Sequence, residues 1–132
     1  MSGIMMRRGP KLISARTHAV IDYIHAGTNF LVGALLWKRR RRAAATGAFA
    51  LGAGVLANAL MTDYPLGVFR LYPFKVHGVL DYGVAAASGF MPDMMRMRKN
   101  SPEAKFFRAQ GAGETGIAAI TDYNDHTGAK RW

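Results

Sequence analysis

From Ala43 to Met61 the chain carries no ionisable side chain: nineteen small and aliphatic residues in a row, with only Thr46 and Asn58 polar. That is close to the ~20 apolar residues a helix needs to cross a bilayer. Three other stretches, 17–37, 73–95 and 104–121, are apolar but interrupted by polar groups. The pattern predicts helices over about 15–37, 43–61, 74–90 and 101–120. Pro65 and Gly67 end the second helix and turn the chain. Pro92 bends or ends the third. Ser101-Pro102-Glu103 opens the fourth, with serine as cap and proline in the first turn.

The polar residues inside these stretches repeat at an offset of 59. His18, Asp22 and Tyr23 recur as His77, Asp81 and Tyr82; Thr62-Asp63-Tyr64 recurs as Thr121-Asp122-Tyr123, and Gly52-Ala53-Gly54 as Gly111-Ala112-Gly113. Imidazole and carboxylate stand four residues apart in both copies, on one face of a helix. The expected fold is therefore all-α: a four-helix transmembrane bundle of two tandem helical hairpins. It divides into a basic N-terminal arm (1–14), repeat 1 (15–73), repeat 2 (74–123) and a polar tail (124–132). Each repeat crosses twice, so the relating axis runs along the membrane normal. Small residues four apart, such as Ala48 with Gly52 and Ala109 with Gly113, let helices approach closely in lipid.

The formal net charge of +10, from 18 basic against 8 acidic residues, would suit nucleic acid. Its placement argues otherwise. The basic residues gather at the hairpin tips, in Lys38, Arg39, Arg40, Arg41 and Arg42 and in Arg96, Arg98, Lys99 and Lys105, where they face anionic lipid headgroups. The tips are expected in the cytoplasm of a bacterium, in its inner membrane. The chain has no cysteine, so disulfides and thiolate metal sites are excluded. The first eleven residues lack the apolar core of a secretory signal.

Thr62-Asp63-Tyr64-Pro65-Leu66-Gly67-Val68-Phe69-Arg70-Leu71, then Pro73 and His77-Gly78-Val79-Leu80-Asp81-Tyr82, resembles the SPW-repeat family of small bacterial integral membrane proteins. The resemblance runs over both hairpins, roughly 13–123. The Ser-Pro-Trp tripeptide itself is absent: Met91-Pro92-Asp93 stands at its place in the second copy, Val32-Gly33-Ala34 in the first. What the resemblance implies is a four-helix membrane protein, with no activity to carry over.

Helices returning to one membrane face should gather His18, Asp22, Tyr23, Asp63, Tyr64, His77, Asp81, Tyr82, Asp122 and Tyr123 into a polar layer that ties helix ends together. Histidine with carboxylate can also ligate a divalent ion. The spacing is not a diagnostic metal motif, so neither metal nor cofactor is assigned. A second group breaks the repeat. His25, Asn29, Arg108, Gln110 and Glu114 stand where the other copy has Val84, Ser88, Phe49, Leu51 and Val55, which marks them as a candidate ligand or partner site. Glu114 is expected to pair with His25 or Arg108, and Arg108 and Gln110 to lie on the outer face of their helix. A lone His25 is weak ground for a haem or chlorophyll ligand. No nucleophile with a base, phosphate-binding loop or two-histidine zinc signature is present, so no enzyme is expected. The sequence reading is an accessory or scaffolding subunit beside other membrane subunits. Its rivals are a carrier for a small ligand, proton or ion, and a basic soluble bundle.

Overall fold

A computed structural model describes residues 10–131. Among these the order is α1 (Ala15–Lys38), α2 (Arg42–Met61), β1 (Thr62–Asp63), β2 (Tyr72–Pro73), α3 (Phe74–Met94) and α4 (Pro102–Ile120). Ser14 caps α1 by accepting from the Thr17 N–H, and Ser101 caps α4 by accepting from Ala104, with Pro102 at the first turn. Both tip turns close with a backbone N–H reaching five residues back, from Arg41 to Leu36 at 2.9 Å and from Met97 to Pro92 at 2.8 Å. The left-handed residue in each is an arginine, Arg40 and Arg96, where glycine is the usual choice.

The third helix does not stop near residue 90. α3 runs on to Met94 with Pro92 inside it. In the last turn proline removes one backbone bond, and the Met95 N–H still closes on Met91 at 2.9 Å.

The buried face of α1 is Ala15, His18, Ala19, Asp22, Ala26, Asn29 and Gly33; that of α3 is Phe74, His77, Gly78, Asp81, Ala85, Ser88 and Pro92. Each position in the second set lies 59 residues after its counterpart. α1 packs along α2 and α3 along α4, while α2 meets α3 more sparingly. Glycine sets the approach in both pairs. A Cβ on Gly52 would come 3.0 Å from the Asn29 Cβ, and one on Gly111 only 2.7 Å from the Ala85 carbonyl oxygen. At the tips, Arg41 reaches across to the buried Glu103 at 3.0 Å.

The opposite ends are laced by short parallel pairings that periodicity did not reveal. Thr62 pairs with Tyr72 and Asp63 with Pro73, and Ile13 pairs with Thr121. The C-terminal segment is also docked. Asp125 accepts the Ala15 N–H, and the Lys130 and Arg131 N–H groups close on Asp63. Polar side chains share the interior with the apolar core, and several large apolar ones lie outside. His18, Asp22, Asn29, Asn58, His77 and Asp81 are buried, while Ile24, Leu31, Val79, Phe90 and Met94 are each more than 60% exposed.

Candidate metal centre

Four side chains from α1 and α3 converge where the two hairpins meet. His18 Nε2 lies 3.3 Å from Asp22 Oδ1 and 3.0 Å from Asp81 Oδ2. His77 Nε2 lies 3.0 Å from Asp22 Oδ2 and 3.1 Å from Asp81 Oδ1. The two Nε2 atoms are 3.2 Å apart. All four residues are buried, none more than 5% exposed. One donor atom from each falls within 4.8 Å of every other.

The outer ring nitrogens decide what these inner atoms present. Thr62 Oγ1 donates to the Asn58 carbonyl at 2.5 Å, and Thr121 Oγ1 to the Ile117 carbonyl at 2.6 Å. Each hydroxyl has spent its hydrogen, so it can only accept from the histidine beside it. His77 Nδ1 is 2.7 Å from Thr62 Oγ1, and His18 Nδ1 is 2.8 Å from Thr121 Oγ1. Both rings therefore carry hydrogen on Nδ1. In their neutral form each directs the Nε2 lone pair inward.

The carboxylates are oriented as firmly. The Tyr64 hydroxyl donates to Asp22 Oδ2 at 2.7 Å, the Tyr123 hydroxyl to Asp81 Oδ2 at 3.1 Å, and the Asn58 amide to Asp81 Oδ1 at 3.3 Å. Burial first, and then the neighbouring carboxylate, push both phenols far above their ordinary range, which keeps them donors. Phe74 closes the shell with its ring 5.3 Å from His18 and 5.5 Å from His77.

Two buried carboxylates need two positive charges nearby. Protons on both Nε2 atoms would supply them, yet each single N–H would face two oxygens and a like-charged nitrogen. One divalent ion at the centre would engage both nitrogens and both carboxylates together. First-row ions bind nitrogen and oxygen at ~2.0–2.2 Å, which sets neighbouring donors about 3.0–3.5 Å apart. The nitrogen–nitrogen spacing and the four nitrogen–oxygen spacings, which run to four different carboxylate oxygens, fall in that interval. They are equally the lengths of N–H···O hydrogen bonds, so the same geometry suits one ion or two protons.

Six of the ten residues expected in the polar layer meet: His18, Asp22, Tyr64, His77, Asp81 and Tyr123. Four do not. β1 is the two residues Thr62 and Asp63, whose successive side chains point to opposite sides, and the chain bends at Tyr64. Thr62 and Tyr64 face the histidines, so Asp63 faces away, onto Arg70 at 2.9 Å. Asp122 likewise turns out, accepting the Asn124 N–H. Tyr23 leaves the buried face of α1 and donates to the Leu66 carbonyl at 2.7 Å; Tyr82 is 46% exposed. Thr62, Thr121 and Asn58 were missed as site residues. The threonines do repeat at the 59-residue offset, and that was the available signal.

The repeat-breaking residues separate as well. His25 Nε2 and the Asn29 amide lie 2.9 and 2.7 Å from Gln110 Oε1, and Gln110 Nε2 donates to Ser88 Oγ at 2.9 Å. Gln110 thus points inward between the hairpins and does not lie on the outer face of α4. Glu114 approaches His25 at 4.0 Å and not Arg108, which pairs with Asp93 at 2.9 Å on the surface. Lys38, Arg39, Arg40, Arg41 and Arg42 are all exposed.

Comparison with models of known families, with curated proteins and with solved structures finds no match to this chain.

Proposed function

We propose that this chain is a small integral membrane protein of two tandem hairpins whose halves are clamped by one divalent transition-metal ion. His18, Asp22, His77 and Asp81 are its ligands. The observation that carries this reading is the meeting of two buried Nε2 atoms, 3.2 Å apart, on the same pair of carboxylates, with each Nδ1 engaged outward by a threonine hydroxyl. Every ligand has an outer partner, as metal-bound histidines and carboxylates require. A mixed imidazole and carboxylate set with no thiolate suits zinc, iron or manganese.

Membrane residence draws on α1 and α2, each long and apolar enough to cross a bilayer, and on the large apolar side chains that lie outside while polar ones lie buried. Four protein ligands close the ion's inner sphere, which is the habit of structural rather than catalytic metal sites. A non-catalytic accessory or scaffolding subunit, docking beside other membrane proteins through its apolar exterior and basic tips, agrees with that closure. A carrier remains the second reading, because a cleft bearing Glu114 opens onto His18, Asp22 and Asp81.

The test is the metal content of protein purified without chelator. One ion per chain is expected, with Co²⁺ substitution giving a visible ligand-field band that Asp22→Asn and Asp81→Asn each abolish. Chelation should lower the melting temperature and re-addition restore it. Binding displaces up to two Nε2 protons, so affinity should fall as the medium is acidified. Protein that purifies metal-free, takes up no Co²⁺ and melts the same in chelator would instead hold two protons at the centre.

A further inference from the structure

Between α1 and α4 lies a cleft of about 240 Å³. Ile21, Ile24, Gly113 and Ile117 form apolar walls, and His18, Asp22 and Asp81 of the metal centre lie at its inner side. His25, Gln110 and Glu114 supply its remaining polarity.

The hydrogen-bond chain behind those three residues determines what they offer. Ser88 Oγ donates to the Phe107 carbonyl at 2.8 Å, so it accepts from Gln110 Nε2. Gln110 must then present Oε1 to His25, and His25 Nε2 carries the hydrogen. The neutral ring is left with its Nδ1 lone pair toward Glu114, 4.0 Å from Oε1. The Glu114 side chain is 10% exposed, and its Oε2 has no hydrogen-bond partner. In this neutral form of His25, the Glu114 carboxylate and the His25 Nδ1 lone pair converge at one end of the cleft with no donor among the described residues to meet them, an arrangement costly to leave unsatisfied.

Positions 59 residues away line a second cleft, of about 430 Å³, where Leu51, Gly54, Leu80, Gly83 and Val84 replace Gln110, Gly113, Ile21, Ile24 and His25. Its polar groups, Asn58 and Tyr72, are bonded to each other. The positions that match His25, Gln110 and Glu114 hold Val84, Leu51 and Val55, so this acceptor set belongs to the α1–α4 side alone.

The geometry points to the α1–α4 cleft as a binding site for a small lipid-soluble molecule with an apolar body and an O–H or N–H head, held by Glu114 and His25. Its apolar lining suits such a body, and the cleft is too small for more than a modest ring or short chain. The site adjoins the metal centre, three of whose residues line the cleft, but the head group proposed here is held by Glu114 and His25.

The probe is 4-(trifluoromethyl)phenol, with its methyl ether as the same body lacking the donor, both titrated by fluorine NMR into the full chain in lipid nanodiscs. The phenol should bind at least tenfold more tightly than the ether. Glu114→Leu should erase that difference, while metal content measured on the same sample stays at its wild-type value. Gly113→Leu, which fills the wall without touching an acceptor, should block both probes, and it keeps the test alive where Glu114→Leu fails to fold. Equal binding of phenol and ether, a preference that survives Glu114→Leu, or a cleft filled by bilayer lipid that neither probe displaces overturns the proposal.

Discussion

A threonine hydroxyl has one hydrogen, and at Thr62 and Thr121 it goes to the carbonyl four residues back. That small fact sets both histidine tautomers and with them the donor set of the centre. Thr62→Val should leave the His77 Nδ1–H buried without an acceptor, costing about 1–3 kcal/mol in stability. It should also weaken metal binding by roughly 10- to 100-fold, as loss of an outer partner does elsewhere. Thr62→Ser keeps the oxygen and should stay near wild type. Titration with Co²⁺ against thermal unfolding separates the two effects: a Thr62→Val protein that loses stability but binds the ion as before would show that Thr62 stabilises the fold without presenting His77 to the ion.

At the scale of elements, the loop between β1 and β2 and the C-terminal segment are held by one carboxylate. Asp63 accepts from the Lys130 and Arg131 N–H groups at 2.9 and 2.6 Å and from Arg70 at 2.9 Å, and Arg70 sits in a left-handed conformation, φ 52°, to do this. Burial alone would raise the Asp63 carboxyl, but the two backbone donors and the guanidinium outweigh it and hold it below the ordinary value. A depressed carboxylate adds stability that is present above the unfolded-state value of about 4 and is lost as pH falls through the lower folded value. Hydrogen exchange at Lys130 and Arg131 should accordingly rise in acid before the helices melt. Asp63→Asn should bring that loosening to neutral pH at a cost of about 1.5–3 kcal/mol. Unchanged exchange in the variant would show the segment to be held by other contacts.

For the whole molecule, the decisive feature is where its apolar surface lies. Ile24, Leu31, Val79 and Phe90 point outward while His18 and Asp22 of α1 and His77 and Asp81 of α3 point in. An exterior of this kind is held in lipid by burial, which salt does not screen, whereas a basic surface bound to anionic headgroups is released by it. The protein should stay with membranes through high-salt and carbonate washes and leave only in detergent. Its appearance in the salt wash would return it to the basic soluble bundle.

Much of the fold was legible in the sequence because helices are local. Ser101 acts as the cap expected of it, α1, α2 and α4 keep their bounds within a residue, and His18 with Asp22 shares one face because 3.6 residues make a turn. The 59-residue offset likewise marked which polar positions have counterparts. Periodicity within a helix, however, is silent on the distance between faces of different helices. That distance was set by glycine contacts such as Gly111 against Ala85, and by parallel pairings at Thr62 and Ile13 that join residues far apart in the chain. Whether Asp63 or Thr62 meets the histidines depended on a strand of two residues, too short for its alternation to stand out in sequence. The helices and their polar faces thus belong to the sequence by itself. The convergence of two Nε2 atoms on two carboxylates, and of Glu114 with His25 in a cleft, was decided only by the tertiary structure, because those meetings depend on packing between helices.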